Sequence, residues 1–347
     1  MSKSEPAAAP ALAGPFRAPD RSFRNPWPGS ELPGWRAVLR MLTDRRARPR
    51  AATPRHGTLP ISDPQIVYPR GGATECSATW IGHSTTLLQM AGLNILTDPV
   101  FCRRASPVQW AGPARVMDAA VAITRLPPLD VILLSHNHYD HLDKAAVGTL
   151  AHAHPSATWI VPLGLGAHIS AWGAPDIVEL DWWAGTVVHG LRVTATPARH
   201  FSGRSLRDRN KTLWCGFAIE AEGRRAYFAG DTAYHPDFGE IGARCGPFDF
   251  VMIPIGAYDP RWFMRAVHVD PEEAVRIYQD LVAPHPGAAF PIMLAIHWGT
   301  FRLTDEPMDE PPRRAVARWH SAGLAADRLW IARFGETRAI VPAAEPR

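Results

Sequence analysis

One stretch of the chain reads Val131-Ile132-Leu133-Leu134-Ser135-His136-Asn137-His138-Tyr139-Asp140-His141. Its first four residues form a continuous apolar run, which is typical of a buried strand. The residues that follow, 143–151, have the pattern of a helix whose start Asp143 can cap. The polar part is therefore predicted to be a loop at the carboxyl end of a strand, where α/β folds place their sites.

This loop carries three imidazoles and one carboxylate within six residues. Both groups are ligands that zinc and related divalent metals accept. An extended loop can direct His136 and His138 to one side and Asp140 and His141 to the other. A lone histidine is more often structural, but four ligand side chains beside an apolar strand predict a metal site.

Three more potential ligands follow predicted strands. His200 follows residues 191–196, Asp231 lies in the run Phe228-Ala229-Gly230-Asp231-Thr232, and His297 follows residues 294–296. Taken singly, each could be a buried side chain that only satisfies hydrogen bonds. Because each directly follows a strand, all three can converge on one edge of a sheet, which favours a second metal position.

The rest of the chain alternates strand-like and helix-like segments. Further strands are predicted at residues 78–81, 86–89, 93–97, 158–161, 177–180, 191–196, 213–220, 225–229, 250–253 and 293–296, and helices at 35–46, 165–172, 271–281 and 312–322. With no repeat of 20–50 residues, this pattern predicts an α/β fold in which two mixed β-sheets are flanked by helices. Residues 1–30, which hold six prolines, are predicted to be a flexible lead, and residues 31–347 a single domain.

The composition indicates which kinds of partner and which cellular compartment are expected. The formal net charge of +4 is too small to indicate nucleic acid, and only three of the 37 basic residues are lysine. Arginine suits phosphate and carboxylate groups, so anionic partners are expected. No Cys-x-x-Cys pair, typical signal peptide or run of 18 apolar residues is present. The sequence therefore predicts a cytoplasmic protein.

Residues 35–46 could act at a surface. Trp35, Val38, Leu39 and Leu42 have the spacing of one helical face and are accompanied by several arginines. One interpretation is a peripheral helix packed on the domain. The other is a helix that binds the inner face of the membrane.

The order His-x-His-x-Asp-His, then a distant His, an Asp and a last His, resembles the metallo-β-lactamase superfamily. Longer runs are similar to its branch of phospholipases D that hydrolyse N-acylphosphatidylethanolamine. These runs are residues 23–28, 96–101, 135–143, 179–183, 228–232, 253–264, 268–275 and 295–301. The resemblance implies the αββα sandwich of that superfamily.

The resemblance also implies a site with two metal ions, most simply two Zn²⁺, with iron or manganese as alternatives. The implied ligands are His136, His138 and His200 for one ion, Asp140, His141 and His297 for the other, and Asp231 as the bridge. A hydroxide bridging the metals would be the nucleophile.

Asp98, Asp140 and His268 are the residues for which the resemblance implies a part in catalysis. Asp98 could instead be a turn residue before Pro99, or it could orient a metal-ligating imidazole. His268 could be a helix-entry residue, or it could bind a phosphoryl oxygen or protonate the leaving alkoxide. The remaining histidines, His83 among them, receive no role.

Two further groups near these residues have open interpretations. Basic residues after His200 could attract an anionic headgroup or form a solvated loop; they are Arg204, Arg207, Arg209 and Lys211. Aromatic residues could line a groove for acyl chains or belong to the core; they are Trp182, Trp183, Trp214, Tyr258, Trp262 and Phe263.

The function implied by the resemblance is a metal-dependent phosphodiesterase that releases N-acylethanolamine and phosphatidic acid from a phospholipid. A second hypothesis keeps the metals but acts on a soluble phosphoester or a sugar-phosphate lactone, because fold does not fix substrate. A third is a metal-bound sensor without catalysis. The expected partners are a phospholipid or other phosphodiester and a membrane surface, and the sequence is compatible with a homodimer.

Overall fold

Two seven-stranded β-sheets, flanked by helices, form the framework of the protein in a computed structural model that describes residues 14–31, 34–47, 52–205 and 207–341. The strands in chain order are β1 Phe16–Arg17, β2 Phe23–Arg24, β3 Cys76–Gly82, β4 Thr85–Met90, β5 Leu93–Thr97, β6 Val131–Leu133, β7 Thr158–Pro162, β8 Asp176–Leu180, β9 Gly185–Val188, β10 Leu191–Thr196, β11 Gly216–Ala221, β12 Arg224–Phe228, β13 Phe250–Pro254, β14 Ile292–Ile296, β15 Leu329–Trp330 and β16 Thr337–Ala339. The α-helices are α1 Trp35–Ala47, α2 Lys144–Ala153, α3 Gly166–Ser170, α4 Phe238–Cys245, α5 Arg261–Met264, α6 Pro271–Val282 and α7 Glu310–Ser321.

The first sheet has the strand order β16-β3-β4-β5-β6-β7-β8, and the second has the order β15-β14-β13-β12-β11-β10-β9. In the first, β3 to β5 alternate in direction, and β5 to β8 are parallel. In the second, β10 to β12 alternate, and β12 to β15 are parallel. The carboxyl ends of β3, β5 and β6 therefore share one edge, as do those of β10, β12 and β14.

The apolar core lies between the two sheets. Trp80 and Leu133 from the first sheet and Phe217, Phe228 and Leu294 from the second belong to one buried cluster. β6 and β14 are buried along their whole length, because helices cover the outer face of each sheet. This explains why these strands are continuous apolar runs in the sequence.

Side-chain caps start the helices next to the site. Asp143 accepts a hydrogen bond from Ala145 N at the start of α2, as its position in the sequence predicts. Asp270 accepts one from Glu273 N at the start of α6, and Pro271 occupies the first turn. Each cap contributes about 1 kcal/mol to helix stability.

The architecture confirms the predicted α/β sandwich, with differences at several boundaries. The strand predicted at residues 213–220 begins only at Gly216, because Leu213 N and Cys215 N donate to Leu163 O and Ser135 O instead of to a neighbouring strand. α4 and β9 were not predicted. α4 is short and its sequence holds two glycines, and β9 is a half-exposed edge strand without a continuous apolar run.

Part of the predicted N-terminal lead packs on the domain. Residues 1–13 lie outside the described part of the chain. Within residues 14–31, β1 pairs with β2, and Phe23 and Trp27 are buried in the core between the sheets. Asn25 donates to His200 O at 2.8 Å, which fixes this segment beside the second sheet.

α1 confirms the helix predicted at residues 35–46. Trp35 and Leu39 are 68% and 53% exposed, whereas the side chains of Val38 and Leu42 lie outside the described residues. Of the helices that the structure describes, none has the length and hydropathy needed to span a bilayer.

Candidate metal centre

Three turns at the edge of the first sheet bring polar side chains together. His83 lies in the turn between β3 and β4, Asp98 follows β5, and the ligand loop of residues 135–141 follows β6. His83 and Asp98 have positive φ angles of 54° and 32°. Such backbone strain in non-glycine residues is concentrated at functional sites.

The second sheet contributes from the ends of three strands that run in the same direction. His200 follows β10, Asp231 follows β12 and His297 follows β14. Gly230 places Asp231, since its φ is +59° and a Cβ atom there would lie 2.6 Å from the Cβ of Ser135. Only glycine can make this close approach between the two sheets.

The first group of donors consists of three imidazoles. His136 Nε2 lies 2.8 Å from His138 Nδ1, which in turn lies 3.2 Å from His200 Nε2. Donor atoms of all three lie within 4.8 Å of one another, as the coordination of a single ion requires. His200 Nδ1 donates to Val267 O at 2.8 Å, which leaves Nε2 free to act as the ligand atom.

The second group joins the two sheets. Asp140 Oδ2 lies 3.5 Å from His141 Nε2 and 3.4 Å from His297 Nε2. His83 belongs to the same group, because its Nε2 lies 3.1 Å from Asp140 Oδ2 and its ring centroid lies 4.0 Å from that of His297.

Asp231 lies between the two groups. Its Oδ2 atom is 3.1 Å from Nε2 of both His141 and His297, and 3.8 Å and 3.9 Å from Nε2 of His200 and His136. One carboxylate thus contacts imidazoles of both groups, which is the geometry that a bridging ligand needs.

Burial controls the protonation of the first group. It lowers the pKa of His136 well below its usual range, that of His138 to about 3 and that of His200 to about 4. These imidazoles are neutral at neutral pH, which is the form that binds a metal.

The second group has the opposite balance. Burial acts to lower the pKa of His297, but the carboxylates of Asp231 and Asp140 raise it to about 9. Against the same effect of burial, the two carboxylates also raise the pKa of His141 well above its usual range. In the metal-free protein both imidazoles are protonated at neutral pH, so metal binding at this group must release protons.

The donor set fits divalent metal ions. Asp231 Oδ1 is buried without a hydrogen-bond partner among the described residues, and Nε2 of His141 and of His297 faces the Asp231 and Asp140 carboxylates at 3.1–3.5 Å. Buried polar atoms normally have partners, and here imidazole nitrogens and carboxylate oxygens are gathered in one buried cluster. These are the ligand atoms of zinc and related metals.

Asp98 orients one of these imidazoles. It accepts hydrogen bonds from Ser135 N at 2.7 Å and Ser135 Oγ at 2.6 Å, and its Oδ2 lies 2.6 Å from His141 Nδ1. It is completely buried, and this geometry matches the predicted carboxylate behind a ligand imidazole. A turn residue alone would not need these partners.

His268 lies outside the two groups described above, but it forms a further cluster of possible ligands with His200 and Asp231. Its Nδ1 is 4.0 Å from Asp231 Oδ2, and its ring centroid is 5.0 Å from that of His200. Burial lowers the pKa of His268, so its imidazole is neutral at neutral pH.

The structure brings all nine predicted site residues together around Asp231; they are Asp98, His136, His138, Asp140, His141, His200, Asp231, His268 and His297. His83 was missed. The signal that could have identified it is positional, because His83 follows β3 at the same sheet edge as the ligand loop.

The structure shows the surroundings of several of the basic residues that follow His200 and of several of the aromatic residues that could line a groove. Arg204 directs its guanidinium to backbone carbonyls, and Lys211 contacts Asp20. Trp182 and Trp214 are buried in the core between the sheets, whereas Trp262 is 39% exposed.

Fold and site together define a metal-dependent hydrolase. The sequence model of the β-lactamase superfamily domain matches residues 93–298, and the chain belongs to the metallo-β-lactamase superfamily. An isothiocyanate hydrolase from Delia radicum gut bacteria has the same fold, with a TM-score of 0.59 over 77% of this chain and all of that chain, at 20% identity.

More similar sequences place the chain within that superfamily. An uncharacterized protein of Mycobacterium tuberculosis is 43% identical over 86% of this chain and 78% of its own length. The N-acyl-phosphatidylethanolamine-hydrolyzing phospholipase D 1 of Caenorhabditis elegans is 41% identical over 67% of each chain. The mitochondrial N-acyl-phosphatidylethanolamine-hydrolyzing phospholipase D of Saccharomyces cerevisiae is 37% identical over 75% of this chain and 55% of its own.

Proposed function

We propose that this chain is a two-metal phosphodiesterase of the phospholipase D type. It would hydrolyse N-acylphosphatidylethanolamine-like lipids to N-acylethanolamine and phosphatidic acid. The observation that carries the proposal is the arrangement of two donor groups around the one carboxylate of Asp231. The names of the nematode and yeast relatives supply the substrate class.

The proposed ligands follow the two groups. His136, His138 and His200 would hold one ion, Asp140, His141 and His297 the other, with Asp231 shared between them. Zn²⁺ is the proposed metal, because the set combines imidazole and carboxylate without thiolate, and iron or manganese would suit the same donors. When bound, the ions supply an activated water and stabilise negative charge on the phosphoryl oxygens.

Asp98 keeps the second group ready for its ion. Its contact with His141 Nδ1 fixes the imidazole with Nε2 directed at Asp231. Because Ser135 supplies two more hydrogen bonds to Asp98, the carboxylate cannot turn away. Such partners raise the basicity of the ligand imidazole.

His268 is placed to act on the substrate. A neutral imidazole carries one N–H, so His268 can donate a hydrogen bond to a phosphoryl oxygen next to Asp231. Because a neutral imidazole would become an imidazolate if it gave up this proton, we propose the contact with the phosphoryl oxygen and not protonation of the leaving alkoxide.

A chain of contacts connects α1 with this part of the site. The guanidinium carbon of Arg40 on α1 lies 4.6 Å from the ring centroid of Trp262 on α5. Arg261, also on α5, donates to His268 O at 2.6 Å. α1, on which Trp35 and Leu39 are exposed, therefore presents its surface beside α5, whose Arg261 contacts His268.

This surface supports docking on a bilayer. A phosphatidyl substrate resides in a membrane, and exposed tryptophan and leucine beside arginine suit the interfacial region. Each arginine near anionic lipid contributes roughly 1 kcal/mol of attraction. The proposed partner is accordingly the phospholipid itself, at the inner face of the membrane.

The test is hydrolysis by the metal-replete protein of a panel of substrates. The panel holds N-acylphosphatidylethanolamine, phosphatidylcholine, a chromogenic soluble phosphodiester and a sugar-phosphate lactone. We expect release of N-acylethanolamine, and about two metal ions per chain by elemental analysis. Turnover of only the soluble compounds would overturn the lipid assignment, and absence of any metal-dependent turnover would favour the sensor.

A further inference from the structure

Residues that follow His200 hold the ligand loop from outside. Gly203 N donates to Asn137 Oδ1 at 2.7 Å, and the hydroxyl of Tyr139 donates to Arg204 O at 2.9 Å. None of these four contact residues is a metal ligand or a catalytic group in the proposed function. Their contacts join the ligand loop of the first sheet to a segment from the second.

The side chain of Arg204 makes the strongest of these connections. Its Nη1 donates to Asn137 O at 2.8 Å and to Leu142 O at 2.7 Å. Its guanidinium carbon lies 3.9 Å from the ring centroid of Tyr139, within the range of a cation–π contact. One planar group therefore holds the carbonyls on either side of residues 138–141 and covers Tyr139 within that segment.

The backbone between these two carbonyls makes a tight turn. His141 N and Leu142 N both donate to His138 O, at 3.1 Å and 2.8 Å. The turn directs His138 into the first donor group, and Asp140 and His141 into the second.

Arg204 is itself held in place. Asp208 accepts hydrogen bonds from Arg204 N at 3.1 Å and from Ser205 N at 2.7 Å, which closes a turn. Since this turn begins four residues after His200, the guanidinium is fixed relative to a ligand from the second sheet. The side chain is half-buried, so its contacts are shielded from water.

We propose that Arg204 is a positioning residue of the metal centre. By holding the turn between His138 and Asp140, it sets the separation of the two donor groups and keeps both in place for their ions. The inference rests on the proposed two-metal site. It differs from the expectation that Arg204 attracts a headgroup, because Nη1 is already committed to two backbone carbonyls.

The experiment compares Arg204→Lys and Arg204→Ala with the wild type. Lysine keeps the charge, but it has no planar group to stack on Tyr139, and its ammonium lacks the fixed geometry with which the guanidinium donates to the two carbonyls. The matched control is Arg192→Ala, which removes an exposed arginine of β10 outside the site. Apparent Zn²⁺ affinity is measured by chelator competition, and the visible spectrum of the Co²⁺-loaded protein reports coordination geometry.

We expect Arg204→Lys to weaken Zn²⁺ binding about 10-fold and Arg204→Ala up to about 100-fold, the range for residues that orient metal ligands. The Co²⁺ spectrum should change in both, and the control should match the wild type. If Arg204→Ala does not fold, Arg204→Lys decides the question.

Unchanged Zn²⁺ affinity and Co²⁺ spectra in the folded Arg204 variants would overturn the inference. So would a lower melting temperature of the metal-free variants with wild-type affinity, because that pattern belongs to a merely structural residue. Failure of the wild type itself to bind Zn²⁺ or Co²⁺ would overturn the proposed function as well.

Discussion

The two sheet edges that meet at the site present their donors in different ways. The first sheet presents four from one short loop, residues 136–141, which follows β6. The second presents His200, Asp231 and His297 from the ends of three different strands, separated by tens of residues. The donors of the first edge are brought together because they are close in the sequence. Those of the second edge are brought together because their strands run in the same direction.

This difference implies that the two edges are held in place by different contacts. The second-sheet donors are fixed where β10, β12 and β14 end, by the hydrogen-bonding pattern of the sheet itself. The loop has no such pattern, so it depends on side chains such as Asp98 and Arg204. A substitution that affects the loop should therefore disturb only the donors of the first edge. A substitution at the point where the two edges meet should disturb the donors of both.

The largest effect is expected at Asp231, where the two edges meet. Asp231→Asn removes the charge that contacts imidazoles of both groups. Removal of one member of a buried charge cluster lowers the free energy of unfolding by about 3–5 kcal/mol. We expect a loss of turnover greater than the loss of about 10²-fold seen when a residue supporting a ligand is replaced, and larger than for His200→Ala or His297→Ala, each of which affects one group. Turnover at saturating metal and elemental analysis check this ranking.

Wild-type turnover of the Asp231→Asn protein at saturating metal would contradict a bridging role. The outcome would mean that the two edges form separate sites.

A smaller effect is expected at His268, which is on the second-sheet side but outside the proposed ligand set. His268→Ala should lower turnover about 10²-fold, as loss of a hydrogen-bond donor to the phosphoryl oxygen does, and leave metal content unchanged. Parallel measurements of turnover and bound metal separate the two roles. Should the variant lose metal, His268 is a ligand, and the second edge supplies four donors.

The pairs between the edges predict a pH effect in the metal-free protein. The pKa of His297 is about 9 when folded, above the value of about 6.5 expected in the unfolded chain. Its contribution to stability is therefore complete below about pH 6.5 and disappears as the pH rises to 9. We expect the melting temperature of the metal-free protein to fall by several degrees across this window.

The metal-loaded protein is the control, because a metal-bound imidazole is neutral throughout. Burial raises the pKa values of the buried thiols. Their effect is the same in the metal-free and the metal-loaded protein, so it cancels when the two melting temperatures are subtracted. The imidazoles of the first group act at lower pH, since burial lowers their pKa values. If the melting temperature depends on pH in the same way in the two forms, the imidazole of His297 is not stabilised by the carboxylates of Asp231 and Asp140 in the metal-free protein.

The smallest effect on catalysis is expected at α1, which lies outside both edges. Replacing Trp35 and Leu39 by serine should weaken sedimentation with anionic vesicles at low salt, with little change in hydrolysis of a short-chain soluble analogue. Binding should also weaken at high salt, because charges are screened within about 8 Å at physiological ionic strength.

An equal loss on the lipid and on the soluble analogue would mean that α1 supports the fold instead of a membrane contact. No binding to vesicles at any salt concentration would favour a soluble substrate.

The same contrast explains what the sequence could predict. The ligand loop could be recognised directly in the sequence as a candidate metal site, because four potential ligands of two types, imidazole and carboxylate, follow one apolar strand. His200, Asp231 and His297 were readable because each directly follows a strand, and strands of the same direction end at the same edge. The sandwich followed from the strand and helix pattern.

Other features depend on three-dimensional contacts that leave no periodic signal. His83 approaches Asp140 only because β3 and β6 are brought to one edge by the pairing of β3, β4, β5 and β6. Arg204 lies in a basic stretch, and the sequence alone does not show that its guanidinium donates to backbone carbonyls. The burial of Trp27 was hidden within a proline-rich segment.

The pairing of β16 with β3 has a consequence for synthesis of the protein. Thr337 lies opposite Thr79, about 260 residues earlier in the chain, and their hydroxyls are 2.8 Å apart. The first sheet therefore exposes an unpaired edge at β3 until residues 337–339 have left the ribosome. The first sheet, whose other strands all lie within residues 76–180, is therefore complete only after every described strand of the second sheet has been synthesised.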